Sequence, residues 1–345
     1  MKIVGCDLHT RYQQIAMLDQ ETGELIERRL EHESGEARAF YAAQSGPVRV
    51  GIEATGHTRW FERMLAELGH ELWIGDAAQI RASVVRKQKT DARDAAHLLE
   101  LLLSERFPRI WRPTMAERDL RQLVWHRQKL VWMRNAVGNQ LHALAMGEGV
   151  CRKKKLFTKK GRVELEGLGL GVWASYRRQE LLTMLDQLDA SLHELDQAVA
   201  EQAEQNRSAT LLMTHPGVGP VTSLAFVLTL GPVERFERSK QVVSYLGLNP
   251  REHSSGGRQR LGAISKQGNP MMRSLLVEAG HTAARLDGDL RQDYQRLKLR
   301  RGSGVAKVAI ARKLAVRMYW MLRGQASYAQ LVRMQGSPWA TLVKE

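Results

Sequence analysis

The segment 2–74 alternates short apolar runs with polar turns, and this pattern constrains the fold more than any other feature of the chain. Five such runs predict strands, at 2–8, 12–19, 25–30, 47–53 and 72–74. Amphipathic spacing predicts four helices, over about 34–44, 58–68, 78–85 and 91–104. The resulting order β-β-β-α-β-α-β-α-α indicates an α/β domain at the N-terminus.

This order is that of an RNase-H-like nuclease fold, in which the first and fourth strands are neighbours at the centre of the sheet. Asp7 ends the first strand, Glu53 ends the fourth, and Asp91 and Asp94 open the last helix. Like charges three residues apart on a helix repel each other, so converging carboxylates indicate a cation between them. A hard, oxygen-liganded ion such as Mg²⁺ fits, and two ions about 4 Å apart would serve phosphoryl transfer. Taken singly, Asp7 also fits a strand-end turn residue, Asp91 a helix N-cap and Asp94 a first-turn residue favoured by the helix dipole.

The charge balance points to polyanionic partners. The 345 residues carry a formal net charge of +15, which favours nucleic acid first and an acidic membrane surface second. No apolar run approaches the roughly 18 residues of a membrane span, and no signal-peptide pattern follows Met1. We therefore expect a cytoplasmic, nucleoid-associated protein. Cys6 and Cys151 are the only cysteines, which excludes a cysteine-based zinc site and disfavours disulfides.

Two long helical patterns occupy the middle of the chain. One extends from Ala116 to Met146, and the other, over 178–205, carries apolar residues at alternating four- and three-residue steps. We expect the pair to form a coiled-coil arm. Seven cations from Arg152 to Arg162 precede any acidic residue, which predicts a phosphate-binding tip more than a solvated loop. The lysines assigned to nucleic-acid contacts are Lys153, Lys154, Lys155, Lys159 and Lys160, together with Lys87 and Lys89 ahead of the carboxylate helix.

The C-terminal part begins near Thr210 and contains two motifs. Gly217 and Gly219 flank one apolar residue in a helix-hairpin-helix pattern, which would turn backbone N–H groups towards a phosphate. A plain junction between two helices is the alternative. A polar, glycine-rich loop then follows Gly247, and a helix is expected over 270–286. The cations expected near this loop are Arg258, Arg260, Lys266 and Arg273.

Together these residues and motifs resemble the DEDD transposases of bacterial insertion sequences, over nearly the whole chain. The resemblance implies a RuvC-like catalytic domain over 1–110, a coiled-coil connector over 111–209 and a mostly helical transposase domain over 210–345. It implies that the four acidic residues bind Mg²⁺ and that a loop serine becomes covalently joined to DNA during strand exchange. It also implies a homo-oligomer, dimer or tetramer, and a structured noncoding bridge RNA that pairs with target and donor DNA.

The position of the nucleophilic serine follows from the same resemblance. The family pattern places it directly before a glycine, which selects Ser255, with Ser254 and Ser265 as alternatives. A serine needs an activator, and Mg²⁺ is favoured over His253. Two rival functions remain: a RuvC-like Holliday-junction endonuclease, which would use the same carboxylates to activate water, and a nucleic-acid-binding protein without catalysis.

Overall fold

The computed structural model of the protein describes residues 1–84, 90–152, 155–252 and 260–333, and for Leu261 the backbone alone. The chain divides into two compact units, Met1–Arg112 and Pro113–Glu345. The first unit is a mixed α/β domain, and the second is mostly helical.

The first unit is built on one five-stranded sheet. Its strands are β1 (Lys2–Leu8), β2 (Tyr12–Asp19), β3 (Leu25–Glu31), β4 (Val48–Glu53) and β5 (Glu71–Gly75). Its described helices are α1 (Glu36–Ala42), α2 (Arg59–Glu67), α3 (Ala77–Ser83) and α4 (Asp91–Leu103). The strand order is β3-β2-β1-β4-β5, with β1 parallel to β4 and antiparallel to β2. The predicted strands, and the prediction that the first and fourth are central neighbours, are confirmed.

Helix α4 lies directly on the central strand. A Cβ atom at Gly5 of β1 would lie 2.2 Å from the carbonyl oxygen of Ala95 and 2.3 Å from the amide nitrogen of Leu99. Only glycine allows so close a backbone approach. The opposite face of β1 buries Val4 and Cys6 in the core beneath α1 and α2. Both faces of β1 are therefore covered, which explains its almost continuous apolar sequence.

The start of α4 differs from one interpretation of the sequence. Thr90 is the N-cap, and its hydroxyl accepts a hydrogen bond from the N–H of Arg93. Asp91 is the first helical residue, so its assignment as the N-cap is wrong. Asp91 and Asp94 both stand in the first turn, where the helix dipole stabilises negative charge.

The second unit consists of helices and one small hairpin in its described parts. Its helices are α5 (Met115–Gly147), α6 (Lys159–Glu166), α7 (Val172–Gln205), α8 (Arg207–Met213), α9 (Pro220–Leu230), α10 (Ser239–Tyr245), α11 (Pro270–Leu286), α12 (Gly288–Arg323) and α13 (Tyr328–Arg333). The hairpin pairs β6 (Pro250–Glu252) with β7 (Leu261–Ile264). Helix α12 is interrupted at Gly302, where φ is 82°. None of the described helices is long and apolar enough to cross a membrane.

The long helices α5 and α7 pack against each other in antiparallel fashion. Arg127 pairs with Asp196 and Arg134 with Asp189, so the partner's number falls as the α5 number rises. The predicted apolar seam of α7 lies on its inner face, with Leu181, Leu185, Leu192 and Val199 buried. One end of the pair joins the core formed with α8–α12, and the other end packs with α6. Regular coiled-coil geometry stays a prediction.

Candidate metal centre

The central strands bring two of the predicted acidic residues to one edge of the sheet. Asp7 and Glu53 each follow the last paired residue of the parallel strands β1 and β4, and neighbouring strands lie about 4.8 Å apart. Side chains alternate along a strand, so Asp7 shares the face of Gly5, and Glu53 shares the face of Gly51. Both glycines are in contact with α4. The two carboxylates therefore lie on the face that α4 covers.

Three side chains meet at this edge with donor atoms close enough to hold one ion. Asp7, His9 and Asp91 each place one ligand atom within 4.8 Å of the others. His9 Nε2 lies 3.1 Å from Asp7 Oδ2 and 3.5 Å from Asp91 Oδ2. The Tyr12 hydroxyl donates a 2.8 Å hydrogen bond to Asp91 Oδ2, which orients that carboxylate. Carboxylate and imidazole donors in this arrangement suit a divalent cation.

The electrostatics of Asp7 support the same interpretation. Burial raises the pKa of Asp7, and the negative charges of Asp94 and Asp91 raise it further, against the opposing effect of His9. The hydrogen bond to Asp91 raises the pKa of the Tyr12 hydroxyl, so Tyr12 remains a donor at neutral pH. A cation bound among these carboxylates would relieve their mutual repulsion. The residues present therefore fit a divalent metal ion.

The other two predicted ligands occupy different positions. Asp94 lies close enough to act on the pKa of Asp7, but it is not one of the three residues with converging ligand atoms. The Glu53 carboxylate lies 3.6 Å from the guanidinium of Arg81. Arg81 is 80% exposed, and ion pairs at such a surface contribute little stability. Glu53 therefore faces a cation that it can exchange at small cost.

Sequence reasoning missed His9 and Tyr12. The spacing of Asp7 and His9 offered a signal, because residues two apart on an extended chain point to the same side. Tyr12 carried no such signal, since its bond to Asp91 joins residues 79 positions apart.

Some cations of the basic segment 152–162, at the α6 end of the arm, form ion pairs with acidic residues. Arg152 pairs with Glu164 at 2.8 Å, and Arg162 pairs with Asp186 at 2.5 Å. The expectation that all seven cations lack acidic partners is therefore wrong for these two arginines. The fold brings carboxylates of α6 and α7 next to them. The lysines of this segment that are described and exposed are Lys155, Lys159 and Lys160.

The predicted hairpin connects α8 to α9. Gly217 has φ of 90°, and a Cβ there would lie 2.5 Å from the amide nitrogen of Ala283 in α11. Close helix packing therefore accounts for this glycine. Gly219 precedes α9 as its N-cap, and a Cβ there would meet no atom within 4 Å among the described residues. Phosphate binding at this turn stays a prediction.

Several predicted residues of the C-terminal loop and elsewhere lie outside the described residues: Lys87, Lys89, Lys153, Lys154, His253, Ser254, Ser255 and Arg258. Arg260 and Lys266 are exposed. Arg273 donates through Nη1 to the carbonyl oxygens of Gln267 at 2.6 Å and Leu246 at 3.3 Å. Arg273 therefore ties together the two chain segments from which the hairpin β6–β7 extends.

Comparison with known proteins identifies related sequences over both units. Residues 4–147 match a family model described as "Transposase", of the DEDD type named for IS110, and residues 209–295 match one described as "Transposase IS116/IS110/IS902 family". The chain is 28% identical over 333 residues to the "Probable family 20 transposase" of Pseudomonas aeruginosa, covering 92% of this chain and 96% of that protein.

Two further relatives extend the comparison. The transposase for insertion sequence element IS1111A of Coxiella burnetii is 27% identical over 340 residues, which cover 95% of this chain and 91% of that protein. A pilin gene-inverting protein of Moraxella bovis is 27% identical over 236 residues, covering 65% of this chain and 64% of that protein.

Proposed function

The chain belongs to the DEDD transposases of the IS110 type, and from this we propose that its first unit cleaves and joins DNA strands with two Mg²⁺ ions. The observation that carries the proposal is the cluster of Asp7, His9 and Asp91 where the central strands end. The strand order β3-β2-β1-β4-β5 supports an RNase-H-like, RuvC-like unit. The gene-inverting relative supports recombination as the outcome.

Each side chain of this cluster has a separate role. Asp7 and Asp91 supply the oxygen ligands, Tyr12 holds Asp91 in position, and His9 Nε2 can move a proton beside them. Divalent ions held there would stabilise the attacking and leaving oxygens of phosphoryl transfer. Asp94 adds negative charge next to Asp7. Glu53 would join the ligands by exchanging its contact with Arg81.

Strand exchange proceeds through a serine–DNA adduct in this proposal. The Oγ of Ser255 bonds to the scissile phosphorus as the bond from phosphorus to the leaving sugar oxygen breaks, and the serine proton passes through solvent to that oxygen. Ser254 and Ser265 remain alternatives. The support is the resemblance of the loop sequence, together with its place along the chain between β6 and β7.

Target and donor choice are assigned to a noncoding guide RNA. The sequence has many Lys and Arg residues that can contact phosphates, but no zinc finger or basic zipper that would read base edges. Base pairing through an RNA would supply the missing readout. We place RNA contacts at the exposed Lys155, Lys159 and Lys160 of the coiled-coil arm, and phosphate contacts at the helix-hairpin-helix turn. The protein acts as a homo-oligomer.

A second candidate is a RuvC-like Holliday-junction endonuclease, which needs the first-unit cluster alone. The two functions differ in one product. Transposition through serine leaves a protein–DNA adduct that survives denaturation, whereas hydrolysis leaves none. Ser255→Ala should abolish the adduct and Ser254→Ala should retain it. An adduct that persists in Ser255→Ala would move the nucleophile elsewhere.

The metal site is tested by substitution in the full-length protein. Asp7→Asn and Asp91→Asn should abolish Mg²⁺-dependent cleavage of DNA that carries the element ends, with the element RNA supplied. DNA binding should survive, because neither side chain is a phosphate contact. Asp119→Asn, an exposed carboxylate on α5, is the matched control. Cleavage at the wild-type rate in both test variants would refute the assignment.

The RNA is tested separately, with protein purified free of nucleic acid. Recombination should require the noncoding RNA, and rewriting its pairing segment should redirect the target. Site-specific recombination without RNA would return specificity to protein side chains.

A further inference from the structure

A cavity of about 330 Å³ lies in the second unit, where α10 ends and α11 begins. Its volume is at the lower end of ligand pockets, which span about 300–1,000 Å³. Trp125 of α5 and Tyr245 of α10 supply aromatic walls. Thr229, Ser244 and Asn269 are polar residues of its lining.

Thr229 is the most informative residue of this cavity. It is 6% exposed, and its buried Oγ1 has no hydrogen-bond partner within the described parts of the chain. A threonine inside a helix either reaches solvent or bonds back to the carbonyl four residues earlier, and the Thr229 hydroxyl does neither. Buried hydroxyl groups without a partner are rare because they lose water without compensation. Thr229 lines the cavity, and a rotation of its side chain about χ1 would turn this hydroxyl towards a ligand there, which would complete its hydrogen bonding.

The electrostatic surroundings of the cavity favour an anion nearby. Asn269 caps the N-terminus of α11 by accepting hydrogen bonds from the N–H groups of Met271 and Met272. The N-terminus of α11 therefore lies beside the cavity, where its dipole gives a positive potential although its first N–H groups are already bonded. Arg121 also lines the cavity, and its guanidinium is held there by hydrogen bonds to the carbonyl oxygen of Leu228.

The aromatic walls are already paired with cations. The guanidinium of Arg121 lies 5.7 Å from the ring centroid of Trp125, and that of Arg235 lies 4.8 Å from the ring centroid of Tyr245. Tyr245 is 42% exposed, and Trp125 is half-buried. Aromatic rings beside arginines form the surface on which unpaired bases stack in single-stranded nucleic acids.

We propose that this cavity binds one unpaired nucleotide. Its base stacks on Tyr245, the more exposed of the two rings, the Thr229 hydroxyl turns towards the cavity and bonds to an edge of the base, and its phosphate lies towards Arg121 and the start of α11. The base can come from a DNA strand or from an RNA. The inference goes beyond the proposed cleavage reaction, because it uses neither the carboxylates of the first unit nor the loop serine.

The test measures binding without catalysis. Full-length protein in EDTA is titrated into oligonucleotides that carry one fluorescent adenine analogue, whose emission falls on stacking. Three probes are compared: single-stranded DNA, single-stranded RNA of the same sequence, and the fully paired DNA duplex. Quenching is expected with DNA or RNA single strands and not with the duplex, and the strand that is quenched more strongly identifies the source of the base.

Two variants separate base binding from folding. Thr229→Val keeps the shape, removes the unpartnered hydroxyl, and should weaken single-strand binding about tenfold while raising the Tm. Tyr245→Leu, at a partly exposed position, should remove most of the quenching. The matched controls are Thr222→Val, a buried threonine on the same helix α9, and Trp132→Leu, an exposed tryptophan on α5. Unchanged quenching and affinity in both test variants, or equal quenching by the duplex, would overturn the proposal.

Discussion

Replacing Gly5 with alanine tests whether the contact between β1 and α4 sets the geometry of the metal centre. The new Cβ would lie 2.2 Å from the Ala95 carbonyl oxygen and 2.3 Å from the Leu99 amide nitrogen. Non-bonded heavy atoms make their best contact at about 3.5 Å, so the α4 backbone must retreat by about 1 Å. Both obstructing atoms belong to the backbone of a packed helix, which cannot rotate out of the way.

The displacement acts on both stability and catalysis. Overpacking of this kind costs about 1–3 kcal/mol of the free energy of unfolding. Asp91 stands in the first turn of α4, so the same retreat moves its carboxylate away from Asp7 and His9. A misplacement of about 1 Å costs roughly 100-fold in rate when groups must meet in one geometry. Gly5→Ala should therefore lose about 100-fold in cleavage rate while most of the protein stays folded, because a domain is stable by about 5–15 kcal/mol.

The assay compares three glycine variants of the full-length protein. Urea unfolding, Mn²⁺ affinity by calorimetry, and Mg²⁺-dependent DNA cleavage are measured for each. Gly51→Ala should have a smaller effect, because its Cβ meets side-chain atoms, of Leu102 at 2.7 Å and Phe107 at 3.0 Å, which can shift more easily than a helix backbone. Gly56→Ala should resemble wild type, since no described atom lies within 4 Å of its Cβ. A Gly5→Ala protein with wild-type stability, metal affinity and cleavage would refute the reasoning.

Three further substitutions test the electrostatics of the two units. The pKa of Asp7 is raised in the fold, so the metal-free folded state favours the protonated carboxyl. This contribution to stability is complete below the ordinary aspartate pKa of about 3.9 and is lost as the pH rises through the raised pKa of Asp7. Asp7→Asn should therefore raise the Tm in EDTA at neutral pH and abolish the further rise on adding Mg²⁺, as thermal unfolding would measure. Tyr12→Phe removes the hydrogen bond to Asp91 and should lower Mn²⁺ affinity about tenfold in calorimetry. Arg317→Met leaves the buried Asp287 without its 3.2 Å ion pair and should cost about 3–5 kcal/mol in urea unfolding.

Each of these expectations has a contrary outcome. An Asp7→Asn protein less stable than wild type in EDTA would mean that the Asp7 carboxylate stabilises the metal-free fold. Unaltered Mn²⁺ affinity in Tyr12→Phe would leave Asp91 oriented by other groups. For Arg317→Met, adding Asp287→Asn should recover part of the stability, and no recovery would show that lost packing of the arginine dominates.

Local patterning determined much of this protein before any tertiary contact was considered. Short apolar runs bounded by polar turns placed the five strands of the first unit, because both signals depend only on neighbouring residues. The same logic placed the apolar seam of α7 on its buried face. The acidic residues Asp7 and Asp91 could be selected because Asp7 lies next to the end of β1 and Asp91 begins α4.

Tertiary structure decided which of these groups meet, because partner choice depends on segments far apart in the chain. His9 lies beside both Asp7 and Asp91 because the fold places the turn after β1 next to the start of α4. Glu53 contacts Arg81, although its position on β4 matches that of Asp7 on the neighbouring strand β1. The periods of helix and strand predict the direction in which each side chain points. Which residues that side chain contacts depends on tertiary packing, such as the packing of α4 against Gly5.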